Sequence, residues 1–511
     1  MPVSSIRPAR RNLCVFAAVV AAVLLIHLPG LGLWPIVNHD EVALNDAAWH
    51  WVSHGSVAMP LLAGKDPTYA TNYLWHPPAH LLTMALAYRI FGLSIYVTRG
   101  ESLVFAALAA GLLFVVTRRL SGSAVAGVIA AFLLAAHPLW LWLARSGRMD
   151  PAAVCVGLAA WLVLLAAGRD DPDFPRPSVA RAAAAGLIVG LAGLYHIVLL
   201  IWAPALAAAL YARHRKSGLL PAVVLWATAA LPAAGWLLWV ACTGRWHAWV
   251  VQFWDYQVMQ RGAHRAFLER PWLELRLFID QFRLLPFVGL AALAGFAAWV
   301  ADLRRTRQTG LLTGFLAALA AVIFVLGKGT GAYPLYWYVW LAVAAGIGWQ
   351  RQLLRSRAAR LLLGAAVLNA LLFMAANDAV AYRQRAARSQ ERVGRFLKAS
   401  LRPHSIVLGT EELWYATNAA NCTLHIWEKP DPQREDYYIT PLAQLSAPPP
   451  GFRLAARLPD IMPRILGHTG WYSDCAYAVW ESIPRAEARG PRTPDTGLPP
   501  VPGRQGGGGR R

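Results

Sequence analysis

Apolar stretches of near membrane-spanning length dominate this sequence, and no other feature restricts its fold so strongly. They run near 13–33, 102–117, 123–143, 151–167, 182–210, 219–242, 284–301, 310–327, 334–349 and 360–376. About 20 apolar residues in helical form cross the hydrocarbon core of a bilayer. In lipid each backbone N–H and C=O needs a partner inside the protein, and a helix provides one within the segment itself. The chain is therefore predicted to be an α-helical polytopic membrane protein. Composition agrees: 57% of the 511 residues are hydrophobic and only 15% are charged, too few for an ordinary soluble domain. The stretch 182–210 is too long for one crossing and carries Tyr195-His196 at its centre. It is predicted to divide there, giving about eleven crossings in all. The stretch 78–92 is short, follows Pro77-Pro78 and contains Arg89. It is predicted to be a juxtamembrane helix lying at the interface.

The net charge of +21 would suit a nucleic-acid binder, but the Arg residues fall mainly between apolar stretches. Basic clusters occur at Arg7–Arg11, Arg118-Arg119, Arg169–Arg181, Arg213–Lys216, Arg304–Arg307 and Arg351–Arg360. With eleven crossings all of these share one side, which the positive-inside rule makes cytoplasmic. Residues 1–12 are then a basic cytoplasmic N-terminus, and 13–33 is an uncleaved first helix. A secretory signal is the other reading, but the run is long and Leu31-Gly32-Leu33-Trp34-Pro35 offers no small-residue cleavage site. The membrane domain extends over 13–376. The acidic loop 34–99, the turn 144–150, the loop 243–283 and everything after about 377 are expected outside the cytoplasm.

Residues 377–484 are predicted to form a small extracytoplasmic α/β domain. It opens with a solvated helix over 383–398. Short β-like runs follow at Ser405–Leu408, Cys422–Trp427, Asp436–Thr440, Arg453–Leu458 and Cys475–Trp480. The Pro-, Gly- and Arg-rich tail 485–511 is predicted to be disordered. Five Cys make no disulfide framework. Cys14, Cys155 and Cys242 lie in or beside apolar helices, as packing residues do. Cys422 and Cys475 each open a β-like run and are expected to pair in an oxidising compartment.

The polar residues of the outer segments are the candidates for chemistry. Asn38-His39-Asp40-Glu41 follows the first span. A carboxylate pair at the bilayer surface is costly without a partner or a task. Trp75-His76-Pro77-Pro78 opens the juxtamembrane helix, Arg99 marks the entry to the next span, and Arg145, Arg148, Asp150 and Pro151 fill the next outer turn. Each has a plainer reading. Asp150-Pro151 is also a helix start, and Arg145 and Arg148 are placed to snorkel. The loop 243–283 holds Trp246, His247, Trp249, Trp254, Asp255, His264 and Trp272, either an interfacial anchor or a lid. Lys328-Gly329-Thr330-Gly331 lacks the spacing of a nucleotide phosphate loop.

Taken in order, Asp40-Glu41, His76-Pro77-Pro78 and Arg145…Arg148-Met149-Asp150 resemble the GT-C integral-membrane glycosyltransferases. The likeness is closest to the branch of the protein O-mannosyltransferases and lipid A aminoarabinose transferases. In those an Asp-Glu pair follows the first helix, a Lys-Pro-Pro or His-Pro-Pro opens a juxtamembrane helix, and an Arg-rich element with an Asp ends the third crossing. Lys328 followed by Tyr333-Pro334-Leu335-Tyr336-Trp337 is similar to the outer Lys and Tyr-x-x-Pro element of the same family. The resemblance covers roughly 13–350 and is strongest over 30–170. It departs from the family at Leu194-Tyr195-His196, where members often carry Thr-Lys-Gly, and at His76, where others carry Lys.

The resemblance implies a GT-C fold in a bacterial inner membrane, with the site and the C-terminal domain on the periplasmic side. It implies a polyprenyl-phosphate-sugar donor, an extracytoplasmic glycan, lipid or protein acceptor, and transfer with inversion. Asp40, with Glu41 and Asp150, is then expected to be catalytic, Asp40 taking the acceptor proton. His76, Arg99, Arg145, Arg148, His264, Lys328 and Tyr333 are expected to bind substrate, the cations neutralising the leaving phosphate. Phosphate leaves readily, so no second carboxylic acid is required, unlike ordinary glycoside hydrolysis. Some relatives hold a metal with a His of the second outer loop, so His264 with Asp40 or Glu41 makes a divalent ion possible. A transporter of lipid-linked sugars would instead spread charge along a pathway and show repeated halves. A non-catalytic envelope assembly protein would leave Asp40 and Asp150 without a shared task.

Overall fold

A computed structural model describes residues 6–166, 177–259, 267–326, 333–426, 429–441, 449–459 and 476–483. Its helices are α1 (Ile6–His27), α2 (His39–His54), α3 (Ala79–Phe91), α4 (Ile95–Ser121), α5 (Ala124–Ala135), α6 (Pro138–Leu143), α7 (Asp150–Leu165), α8 (Val179–Tyr195), α9 (Trp202–His214) and α10 (Lys216–Cys242). They continue with α11 (Trp246–Trp249), α12 (Arg270–Gln281), α13 (Pro286–Thr306), α14 (Thr309–Ala320), α15 (Pro334–Arg351), α16 (Arg357–Arg383), α17 (Arg385–Arg388), α18 (Gln390–Ser400) and α19 (Trp414–Ala419).

Among the described residues, six apolar helical segments are of spanning length: Ile95–Ser121, Ile197–His214, Lys216–Cys242, Pro286–Thr306, Thr309–Leu326 and Arg357–Arg383. The apolar part of α1 (Asn12–His27), the shorter α5, α7 and α8 and the aromatic α15 bring the apolar helices of the bundle to about eleven among the described residues. The long apolar stretch does divide at Tyr195-His196: α8 ends at Tyr195, His196 is extended (φ −146°, ψ 115°), and a short 3-10 turn leads into α9. With only 13 residues, α3 is about 20 Å long, too short to span. Followed up and down the bundle, Arg118-Arg119, Arg213 and Arg304-Arg305 close helices at one end. Asp40, Asp150 and the C-terminal sheet lie at the other.

Local sequence sets the ends of these elements. Asn38 caps α2 by accepting from the Glu41 N–H at 3.1 Å. Ser94 caps α4, and Pro151 opens α7 just after its first residue. At the centre of the bundle, α15 is buried from Pro334 to Trp349. Its Trp340 packs on Trp161 with ring centroids 4.2 Å apart. Gly348 of α15 faces the Gly295 carbonyl of α13, so closely that a Cβ there would overlap it. In a bilayer, small residues at a crossing let the backbones approach and gain packing.

After α18 the chain forms a five-stranded mixed sheet of order β2-β1-β3-β5-β4. Its strands are β1 (Ile406–Leu408), β2 (Thr423–His425), β3 (Tyr437–Pro441), β4 (Phe452–Leu458) and β5 (Tyr477–Ser482), each inside or overlapping an expected β-like run. β1 is parallel to β2 and β3, and β5 is antiparallel to β3 and β4. The sheet shares one hydrophobic core with the segment 34–99: Val42, Met59, Leu61, Trp75 and Met84 pack with Val407, Trp414, Ile426 and Val479. Cys422 is buried beside β2, with its thiol donating to the Arg402 carbonyl at 3.3 Å. Its expected partner, Cys475, lies outside the described residues, as do the expected disordered tail and the basic residues Arg169 and Arg176.

Candidate active site

Three segments meet at the end of the bundle that carries the C-terminal sheet: the start of α2, the turn 144–149 and the start of α7. The turn is held from two sides. Asn45 of α2 donates to the Gly147 carbonyl at 2.9 Å, and Ser102 of α4 donates to the Arg148 carbonyl at 2.7 Å. Gly147 has φ 59°, and a Cβ there would lie 2.6 Å from the Thr98 methyl. Glycine is thus required by both conformation and space.

The turn presents Arg148, whose Nε donates to Asp150 at 2.9 Å while Nη1 is paired with Asp40. One guanidinium therefore joins the two carboxylates of the sequence motifs. The two are not equivalent. Asp150 is fully buried and also accepts from the Tyr336 hydroxyl at 2.8 Å. The Asp40 side chain is 43% exposed. Among the described residues of this cluster, Asp40 is the carboxylate open to solvent.

A ring of aromatic and imidazole groups extends from Asp150. The Tyr336 hydroxyl lies 2.9 Å from His196 Nδ1, and the two rings stack 5.7 Å apart. His76 lies 6.0 Å beyond His196, and Tyr333, just before α15, is 6.3 Å from it. His80, at the start of α3, is buried with its Nδ1 3.8 Å from Glu101. Burial above all, with the nearby Arg148, lowers His80 to about 4 and holds His76 well below the ordinary histidine range. Both imidazoles are neutral at pH 7, which leaves Arg148 as a fixed cation beside them.

Several expected site residues occupy other places. Glu41 and Arg99 are fully buried and form a two-pronged pair, Nε to Oε1 and Nη2 to Oε2, both at 2.9 Å. Arg99 also donates to the Leu31 carbonyl at 2.9 Å, and the Tyr415 hydroxyl donates to Glu41 at 3.1 Å. This pair ties α2, α4 and α19 together, and both side chains, expected at the substrate, are closed off by these partners. Arg145 is likewise sealed, against Asp378 of α16 at 2.8 Å and over the Trp34 ring at 5.3 Å. Asp150 positions Arg148 and has no open face of its own. His264 and Lys328 lie outside the described residues, and so does the side chain of Asp255. No group of three metal-ligating residues converges among the described residues. Asp40 and Glu41 turn to different arginines, Arg148 and Arg99.

The sequence reading missed Tyr336, His196, His80 and Asp378 as site or supporting residues. His196 and Asp378 carried a signal, being polar residues within or at the end of apolar runs. Tyr336 lay inside the aromatic motif after Lys328 and differed from its neighbours only in which way its ring faces.

No protein-family model and no curated protein sequence matches this chain. Solved structures do. ArnT from Cupriavidus metallidurans bound to undecaprenyl phosphate superposes with a TM-score of 0.62 at 17% identity, over 93% of this chain and 99% of that one. Its apo form gives 0.63 at 17% identity, over 95% and 100%. The archaeal oligosaccharyltransferase AglB from Archaeoglobus fulgidus, in complex with an inhibitory peptide and a dolichol-phosphate, gives 0.54 at 14% identity, over 84% and 69%.

Proposed function

We propose that this chain, which has the fold of the GT-C membrane glycosyltransferases, moves a sugar from a polyprenyl-phosphate carrier to an acceptor outside the cytoplasm. The structural neighbours supply the lipid class, since one holds undecaprenyl phosphate and another a dolichol-phosphate. The observation that carries the reading is the solvent-open Asp40 joined through Arg148 to the buried Asp150.

That arrangement suits a single displacement. Asp150 and Tyr336 hold Arg148 at the site. The same guanidinium pairs with Asp40. A donor phosphate competes for Arg148 with charge-assisted bonds of similar strength, and this frees the Asp40 carboxylate. Asp40 then takes the proton from the acceptor hydroxyl as its oxygen bonds to the anomeric carbon. The bond from that carbon to the phosphate oxygen breaks, and its electron pair stays on the phosphate against Arg148. Attack and departure on opposite faces invert the anomeric centre. Tyr333, His76 and His196 lie beside Asp150 and Tyr336 as candidates to line the approach, with His264 and Lys328 as further candidates for substrate contact. The reading places the protein in a bacterial inner membrane with this end periplasmic. Lipid A, a polysaccharide, another lipid or a protein serves as acceptor.

The test uses a deletion strain complemented with wild-type or Asp40→Asn protein, followed by mass spectrometry of envelope glycolipids and glycoproteins. The strain should lack a glycoform that wild type restores. Asp40→Asn should restore about a hundredth of it or less, at equal protein level. Full restoration by Asp40→Asn would remove Asp40 as the base. Accumulation of an untransported lipid-linked sugar in the deletion strain would favour a transporter.

A further inference from the structure

A cavity lies against the loop that joins α1 to α2. Its volume is about 840 Å³, and neither Asp40, Arg148 nor Asp150 lines it. Its walls come from the sheet-bearing ends of α1, α4 and α16 and from the start of α17 and α18. Leu25, Leu28, Tyr96 and Tyr382 supply its apolar side, and Arg385 and Arg388 its basic side. The apolar group faces outward from the bundle: Leu25 is 70% exposed and Tyr96 62%. Tyr96 and Tyr382 stand at helix ends, where amphipathic rings mark the level of the headgroups.

The arginines here have no topological explanation. Basic residues collect by bias at the opposite end of the bundle, yet Arg383, Arg385, Arg388, Arg392 and Arg395 crowd this one. Arg388 is fixed in the cavity wall, donating to the Leu33 carbonyl at 3.1 Å. Arg385 is exposed and has no hydrogen-bond or ion-pair partner among the described residues. Glu391 also reaches the cavity. Two arginines and one glutamate leave a single net positive charge, the complement of one phosphodiester.

We propose that this cavity binds an anionic membrane phospholipid. Its phosphate lies against Arg385 and Arg388 and its acyl chain along Leu25, Leu28 and Tyr96. Basic pockets between membrane helices attract anionic headgroups in this way, and the volume is that of a ligand site. The occupant contacts residues 28–33, which Arg99 and Arg388 anchor through the Leu31 and Leu33 carbonyls. It thereby braces the segment leading to Asn38 and Asp40. This holds whether or not the chain transfers sugar.

Native mass spectrometry of the full-length, delipidated protein tests it, by titration with phosphatidylglycerol, phosphatidylcholine or phosphatidylethanolamine. Wild type should retain phosphatidylglycerol in preference to both zwitterionic lipids. Arg385→Glu should need about fivefold more of it for the same occupancy. Arg457→Glu, the same charge change on an exposed strand position, should behave as wild type. Arg385→Gln, a milder change, should shift in the same direction by less. Equal binding by Arg385→Glu and Arg457→Glu would overturn the proposal, as would equal retention of the zwitterionic lipids. Displacement of phosphatidylglycerol by millimolar inorganic phosphate would show a free-anion site and would also overturn it.

Discussion

Adjacent carboxylates at the start of α2 take opposite environments because successive helical positions point about 100° apart. Asp40 turns to the solvent-open side and Arg148; Glu41 turns inward and is closed on both oxygens by Arg99. A buried ion pair that loses one partner leaves an uncompensated charge, at a cost of about 3–5 kcal/mol. Glu41→Gln should therefore lower the thermal unfolding temperature of the detergent-purified protein sharply, while Asp40→Asn should leave it unchanged. Equal unfolding temperatures for the two variants would place Glu41 in the chemistry instead. Residue identity revealed that an acidic pair, a His before two prolines and an Arg-x-x-Arg-x-Asp turn lie near one surface. Which of these groups are open and which are sealed depends on rotamers and neighbours from α4, α15, α16 and α19, and no spacing encodes that.

The elements were largely readable because each answers to a local rule. Hydropathy marked the spans, and the interruption at Tyr195-His196 marked the division of α8 from α9. Pro77-Pro78 with Arg89 marked α3 as interfacial. Packing between the elements was not readable. Glycines are frequent in membrane helices, and nothing in the sequence distinguishes Gly348, pressed on the Gly295 backbone, from Gly364, which has open space around it. Gly348→Leu should push α15 away from α13 and cost about 1–3 kcal/mol or more through overpacking, and it should reduce activity by displacing Tyr336 from Asp150. The same change at Gly364 should leave both unfolding temperature and activity near wild type. Similar losses at the two positions would mean that the close crossing is not what the residue serves.

At the scale of the whole molecule, the membrane bundle and the C-terminal sheet are joined through α2. Trp414 of α19 donates to Asp46 at 2.8 Å, and Asp46 also accepts from the Leu61 N–H at 3.2 Å. Burial raises the Asp46 carboxyl to about 6, with those hydrogen bonds opposing the rise. A raised carboxylate means that the folded chain keeps a proton which the unfolded chain has released above pH ~4. Stability from this group is therefore present at low pH and lost as pH rises through about 6, by up to about 3 kcal/mol. Asp46→Asn removes that titration. Its stability relative to wild type should improve between pH 5 and pH 7, read from thermal unfolding at each pH, and a gap that does not change with pH would exclude Asp46. The sequence by itself determined the polytopic helical class, the span count, the positions of the five strands and the surface on which the acidic and basic motifs gather. Each of these follows from hydropathy, periodicity or charge within a short window. Only the tertiary structure decided that the sheet and the segment 34–99 share one core, that Glu41, Arg99 and Arg145 are struts, and that Arg148 joins Asp40 to Asp150. Those outcomes rest on contacts between residues up to hundreds of positions apart, where the energy depends on the distance and burial of side chains rather than on their order in the chain.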